Sequence, residues 1–263
     1  MYKKLLLVVI LFFTYPLFSY EGHQKWIGVY SQGVSYTDQK IIKDLSWDNV
    51  SDGIQKAWKE GYDVTRIKYG NGKWVAVLSK GTGFTSQAFD RRDRLRDFMY
   101  ILNLRWKEGY RLIDIEYGLG KWVGIYAKGT PYVSQSCQSA KGLSNFQYLV
   151  KEQWKKGFKL IDIERGGNKW VGLFVKGSGL SDQYYRVRTA WSKSKRSIKD
   201  SWKKEYDLVS LEYGLGQWLS VFSKNSGYKN QSLSVRNDWD EFLKAFEKQK
   251  KAGFFLTDLA YGW

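Results

Sequence analysis

Apolar and polar residues alternate along this chain in short runs, each closed by glycine, and the runs return at a fixed interval. The stretch "RLIDIEYG" (residues 111–118) alternates and ends on Gly118, which predicts a strand. "LG" and the following lysine make a hairpin turn, and "KWVGIYAK" (121–128) reads as a second strand. Gly129 and Pro131 break the pattern before a third strand, "YVSQSC" (132–137). On this reading "GKWVGIYAKGTPYVSQS" (120–136) is the hairpin of a single blade. A variable stretch and a helix complete the unit. In the linker before this unit, Phe98, Leu102 and Trp106 fall at i, i+4 and i+8, one helical stripe, and Gly109 stops it.

The interval is 48 residues. Trp26, Trp74, Trp122, Trp170 and Trp218 follow it, as do Gln39, Gln87, Gln135, Gln183 and Gln231. Trp58, Trp106, Trp154 and Trp202 form a third series with Lys250 in the fifth place, and Gly70, Gly118, Gly166, Gly214 and Gly262 a fourth. A fixed period of this length marks a repeat architecture. Residues 24–263 number 240, five periods, and they start inside a unit and end inside one. "FFLTDLAYG" at the C-terminus supplies the first strand that "KWIGVYSQ" at the N-terminus lacks, so closure into a ring is expected; it also removes unpaired sheet ends. The second strand is apolar on both faces, Val123 and Ile125 against Trp122 and Tyr126, and so needs two covers, a helix and a neighbouring unit. The expected fold is an α/β repeat ring. Five strand-strand-helix-strand units close as a five-bladed α/β propeller, with a conventional five-bladed β-propeller as the alternative.

Composition adds location and charge. "MYKK" followed by the 14-residue apolar run Leu5–Phe18 reads as a signal peptide over residues 1–20, too short for a good membrane span, with an uncleaved anchor as the alternative. Residues 21–263 are then one five-repeat domain of an exported protein, secreted or held in the periplasm or envelope. Its single cysteine, Cys137, cannot form an internal disulfide. The formal charge of +17 falls to +15 without Lys3 and Lys4. Such a surface favours polyanions. The lysines are spread along the chain, with "SKSKRSIKDSWKK" (192–204) the nearest thing to a cluster.

Two resemblances follow from these phrases. "WKEGY" (106–110), "KWVGIYAKG" (121–129) and "GTPYVSQS" (129–136) resemble an uncharacterised repeat domain that also lies behind the catalytic domain of plant casein-kinase-like protein kinases. That resemblance covers nearly the whole chain after the leader and implies no activity; no kinase motif is present. The order strand, strand, helix, strand, repeated five times, is similar to the pentein fold of guanidino-group-modifying enzymes.

Pentein-type hydrolysis would need a nucleophilic cysteine with an activating histidine. Cys137 aligns with Ile41, Phe89, Tyr185 and Leu233, a hydrophobic slot, and His23 aligns with turn residues. Neither is half of a dyad, no zinc ligand set exists, and no catalytic residue, metal or cofactor is assigned. Asp114, Asp162 and Asp258 share one repeat position with Arg66 and Ser210; Glu116, Glu164 and Glu212 share the next-but-one with Lys68 and Ala260. Simple alternation puts both positions on one strand face with Leu112. If that face looks into the ring, the carboxylates with Arg66 form either a cation-binding centre or a solvated wall balanced by the strand-end lysines Lys80, Lys128, Lys176 and Lys224. The turn aromatics Tyr36, Phe84, Tyr132 and Tyr228, with Leu180 in the remaining unit, are candidates for stacking on a sugar or anchoring a partner. The five glutamines bind either the neighbouring blade's backbone or a shared polar ligand. The functional expectation is a non-enzymatic, monomeric binding or scaffold protein with a polyanionic glycan or protein partner and no specific nucleic acid. A hydrolase using central carboxylates is the alternative.

Overall fold

The computed structural model describes residues 23–263, so the leader expected over 1–20 lies outside the described residues. The chain opens with β1 (Lys25–Ser31) and β2 (Asp38–Asp44), then α1 (Trp47–Lys59), β3 (Asp63–Gly70), β4 (Lys73–Lys80) and β5 (Ser86–Arg92). Next come α2 (Leu95–Lys107), β6 (Arg111–Gly118), β7 (Lys121–Lys128), β8 (Ser134–Ala140), α3 (Leu143–Lys155), β9 (Lys159–Gly166), β10 (Lys169–Lys176) and β11 (Ser181–Arg188). The last third holds α4 (Trp191–Trp202), β12 (Asp207–Gly214), β13 (Gln217–Lys224), β14 (Gln231–Arg236), α5 (Trp239–Lys251) and β15 (Phe255–Gly262). These are five similar units of three strands and one helix, each contributing to a separate three-stranded antiparallel sheet. No helix among the described residues is long and apolar enough to cross a membrane.

One expectation changes. The phrase 120–136 is not a hairpin of one blade: β7 pairs with β5 and β6, whereas β8 pairs with β10 of the next sheet. The turn at Gly129 therefore carries the chain from one sheet to its neighbour. Gly129 is at φ 82, and a Cβ there would lie 2.8 Å from the Gly83 carbonyl oxygen, so a side chain is excluded both by conformation and by space. The same crossover places the N-terminal strand β1 between β14 and β15, with Lys25 opposite Gly262 and Ile27 opposite Ala260.

The two faces of each central strand have the two covers they require. Trp122 and Tyr126 pack with Phe98 and Leu102 of α2, while Val123 and Ile125 join a core built on α1 and Trp74 of the preceding sheet. Each of the five cores is made this way, including one that joins Trp26, Tyr30 and α5 to Val75 and Val77. The five strand tryptophans are packing residues, all 0–2% exposed.

The glutamines lock neighbouring sheets together. Gln135 Oε1 accepts from Trp106 Nε1 and from the Leu112 N–H, both at 2.9 Å, and its Nε2 donates to the Leu112 carbonyl at 2.6 Å. Gln87, Gln183 and Gln231 make the same three bonds to Val64, Leu160 and Leu208 and to their own tryptophans. Gln39 does so to Leu256, with Lys250 donating to the Gln39 carbonyl where a tryptophan stands elsewhere. A strand-edge N–H and C=O are thus satisfied by side chain rather than ladder. Gln135→Met is expected to lower stability by about 2–3 kcal/mol, because two donors and an acceptor lose their partners together; urea unfolding measures it.

Candidate functional site

The first strands of the units, β3, β6, β9, β12 and β15, lie side by side, and β15 also lies beside β3. Each carries a β-bulge at the same place, with Thr65, Ile113, Ile161, Val209 and Thr257 as the extra residues. The bulge corrects the simple alternation: Leu112 packs on the helix side with Phe98, whereas Ile113 packs toward the preceding sheet, where Asp114 also points. The extra residue reverses the phase of the strand, so Asp114 and Glu116 do not share a face with Leu112.

The carboxylates then cap the backbone of the adjacent strand. Asp114 Oδ2 accepts from the Ile67 N–H at 2.5 Å, Asp162 Oδ2 from Ile115 at 2.9 Å, Asp258 Oδ2 from Leu211 at 2.7 Å, and Glu116 Oε1 from Tyr69 at 3.0 Å. These N–H groups sit on strand edges that face another sheet rather than a ladder partner. Where the next unit has Ser210 instead of aspartate, Asp162 Oδ1 turns to its own neighbour, Ile163 N–H, at 3.0 Å. The aspartate series therefore serves the fold wherever it occurs.

Two cations come from one unit. Lys68 Nζ lies 2.9 Å from Glu116 Oε2, 3.2 Å from Glu164 Oε2 and 2.6 Å from Glu212 Oε2, so one ammonium holds three strands. Arg66 NH1 is 3.7 Å from Asp114 Oδ1, and its Nε is 3.4 Å from Asp258 Oδ1 without hydrogen-bond geometry. All six carboxylate residues are buried. Burial, then the Asp162 charge, pushes Asp114 well above the usual carboxylate range; burial, then Glu164, does the same to Glu116 and Glu212. Burial raises Asp258 and pushes Asp162 up to about 7, with Arg66 opposing both. For Lys68 burial works downward, yet the three glutamates together hold the ammonium well above the ordinary lysine value.

The void among these residues is about 10 Å³, room for about one water. This arrangement stores charge and joins strands; it does not offer a substrate-sized space. The carboxylates are not a solvated wall either. The strand-end lysines lie elsewhere, over aromatic rings: Lys80 over Tyr62, Lys128 over Tyr110, Lys176 over Phe158 and Lys224 over Tyr206, at 4.6–4.9 Å from the ring centres. Among the described residues no three His, Cys, Asp or Glu are placed to hold a metal ion.

The turn aromatics gather at the Arg66 end of this cluster. They are half-buried and wedge between sheets: Phe84 and Tyr132 pack against the core containing Ile113, and Tyr132 and Leu180 against the one containing Ile161. Burial raises the phenols of Tyr36, Tyr132 and Tyr228, Tyr132 to about 12, against the pull of the nearby Arg66 guanidinium. Cys137 is a core residue with its thiol pushed up to about 12 by burial, and His23 is exposed.

A different place breaks the repeat more sharply. Glu205 and Asn225 hold left-handed backbone (φ 61 and 57) at positions where the other units have glycine: Gly61, Gly109, Gly157 and Gly253 for the first, and Gly33, Gly81, Gly129 and Gly177 for the second. Both line a polar cavity of about 580 Å³, together with Trp202, Tyr228, Lys229 and Asn230. The cavity opens at the C-terminal end of α4. Asparagine adopts this conformation readily, but glutamate does not, and a strained non-glycine residue of that kind is a mark of functional sites. Sequence reasoning passed over the pair, although the loss of two glycines from two otherwise constant columns was there to be read.

Fold and site together define a five-unit α/β repeat protein with a sealed, charged interior. The chain belongs to a family described as a domain of unknown function (DUF7477), matched over residues 19–118 and 74–184, two overlapping segments as a repeat requires. No curated protein matches it.

Proposed function

We propose that this is an exported, non-enzymatic binding and scaffold protein, folded as a closed five-bladed α/β propeller, that takes a polyanionic glycan along α4 and into the cleft at its end. Closure is supported by β1 lying between β14 and β15 and by β15 lying beside β3. The observation that carries the binding reading is a basic helix face that ends at the cleft. The outer face of α4 exposes Lys193, Lys195, Arg196 and Lys199 against Asp200 alone, and Arg186 of β11 is exposed over the Tyr184 ring beside it. That helix leads into the cavity where the repeat loses its glycines. Glu205 and Asp207 stand there with Lys229, so the anionic groups of the glycan rest on α4 and its neutral hydroxyl groups enter the cavity beside Trp202 and Tyr228. The side-chain oxygens of Asn225 and Asn230 can accept from those hydroxyls, while their nitrogens donate to Ser181 and Gln32.

The interior does not weaken the argument. Its six buried carboxylates face Lys68 and Arg66 inside the molecule, so they do not offset the exposed lysines and arginines. The test is retention of the full chain on immobilised sulfated polysaccharide. Elution by modest salt is expected. Reversal of Lys195, Arg196 and Lys199 to glutamate should move elution to distinctly lower salt, and reversal of Lys56 and Lys59 on α1 should move it much less. Salt-independent retention, or equal shifts from both sets, would defeat the reading.

A further inference from the structure

Strand direction sorts the connections onto two ends of the molecule. The tight turns after β3, β6, β9 and β12, the links from each outer strand to its helix, and residues 23 and 263 share one end; the helix C-termini and the crossover turns share the other. Of the seven large apolar side chains exposed among the described residues, four are at the first end: Leu45, Leu119, Leu215 and Trp263.

Leu119 and Leu215 are the informative pair. They are 63% and 68% exposed, and both hold left-handed backbone at φ 50 and 52. The matching turns have Asn71 and Gly167, residue types that adopt this conformation readily. Leucine there strains the backbone and adds nothing to any core, so the fold does not account for it. Around these tips stand cations: Lys25, Lys73 and Lys169 begin central strands, and Arg94, Lys141 and Arg236 sit at or beside the links to helices. Acids of the same links are occupied, Asp44 and Asp238 holding backbone N–H groups at helix starts and Asp93 pairing with Lys121 at 2.5 Å. Exposed leucine and tryptophan above a basic girdle is the chemistry of an interfacial membrane contact. The polypeptide before His23, which carries the apolar run Leu5–Phe18, joins the body at this end as well.

We propose that this end docks on an anionic phospholipid surface. Leu119, Leu215 and Trp263 enter the interfacial layer, the lysines and arginines rest on lipid phosphates, and the end bearing the α4 cleft faces away. The test uses the full chain with one added cysteine, Leu119→Cys or Leu215→Cys, labelled with an environment-sensitive fluorophore; Cys137 is buried and stays unlabelled. Val133→Cys, 73% exposed at the opposite end, is the control. With vesicles of phosphatidylcholine and phosphatidylglycerol in equal amounts, the labels at 119 and 215 should brighten, shift to the blue and be quenched by nitroxide-bearing acyl chains. The label at 133 should not respond, and pure phosphatidylcholine should give a much weaker effect. Recruitment by the Leu5–Phe18 run alone would leave all three labels in water and overturn the proposal. So would equal responses at all three positions, an equal response to pure phosphatidylcholine, or a change that grows with protein concentration in the absence of lipid, which would mean that a second copy covers this end.

Discussion

Lys68→Met is expected to be the most damaging single substitution in the interior, costing about 3–5 kcal/mol, the range for removing one partner of a buried ionic group. Methionine fills most of the volume of the lysine stem but leaves Glu116, Glu164 and Glu212 converging with no cation between them. They are buried, and each reaches Lys68 within 3.2 Å. Repulsion would force them to take up protons or drive the strands apart. The compensating experiment separates charge from shape. Adding Glu116→Gln, Glu164→Gln and Glu212→Gln to Lys68→Met removes the uncompensated charge while keeping the side-chain outlines. The quadruple variant should recover most of the loss, measured as the midpoint of urea unfolding. A single variant within about 0.5 kcal/mol of the parent would mean that the cluster does not hold the strands together.

Much of this interior was legible in the sequence because it repeats. The tryptophan and glutamine columns are structural in all five units: the first packs each sheet to its helix, the second ties each sheet to its neighbour. The aspartate and glutamate columns and their exceptions, Arg66 and Lys68, could also be located from spacing. Their burial could not. A period-2 pattern carries no information about a bulge, and the extra residue at Ile113 turns Asp114 toward the preceding strand. The turn at Gly129 was legible, but not that it changes sheet. Pairing of β8 with β10 rather than β7 is a long-range choice that local alternation leaves open. The α4 cleft was visible only as a deviation from the repeat, at Glu205 and Asn225, and became a candidate once the backbone placed both at one cavity.

The buried carboxylates also give stability an inverted dependence on pH. Asp162 is raised from its ordinary 3.8 to about 7, chiefly by burial. In the unfolded chain it loses its proton near the ordinary value; in the folded chain it keeps it until about pH 7. Between those values the folded state binds the extra proton, so stability falls as pH rises. The contribution is fully present below about pH 4 and is gone once pH passes about 7, on the order of 4 kcal/mol for this one group at 1.36 kcal/mol per pKa unit. Asp114, Glu116, Glu212 and Asp258 are raised in the same direction. Lys68, raised well above the lysine range, keeps its contribution across this window and loses it only at alkaline pH. Asp162→Asn isolates the effect. Asparagine retains one of the two acceptor bonds, to Ile115 or Ile163, so a pH-independent loss of about 1 kcal/mol accompanies the substitution. On top of that constant, the variant should gain on the parent from about pH 4 to pH 7 in paired unfolding curves and level off above it. A gap between the two proteins that stays the same across that range would show that Asp162 is ionised in the fold throughout. The positive charge of Arg66, rather than burial, would then govern the cluster.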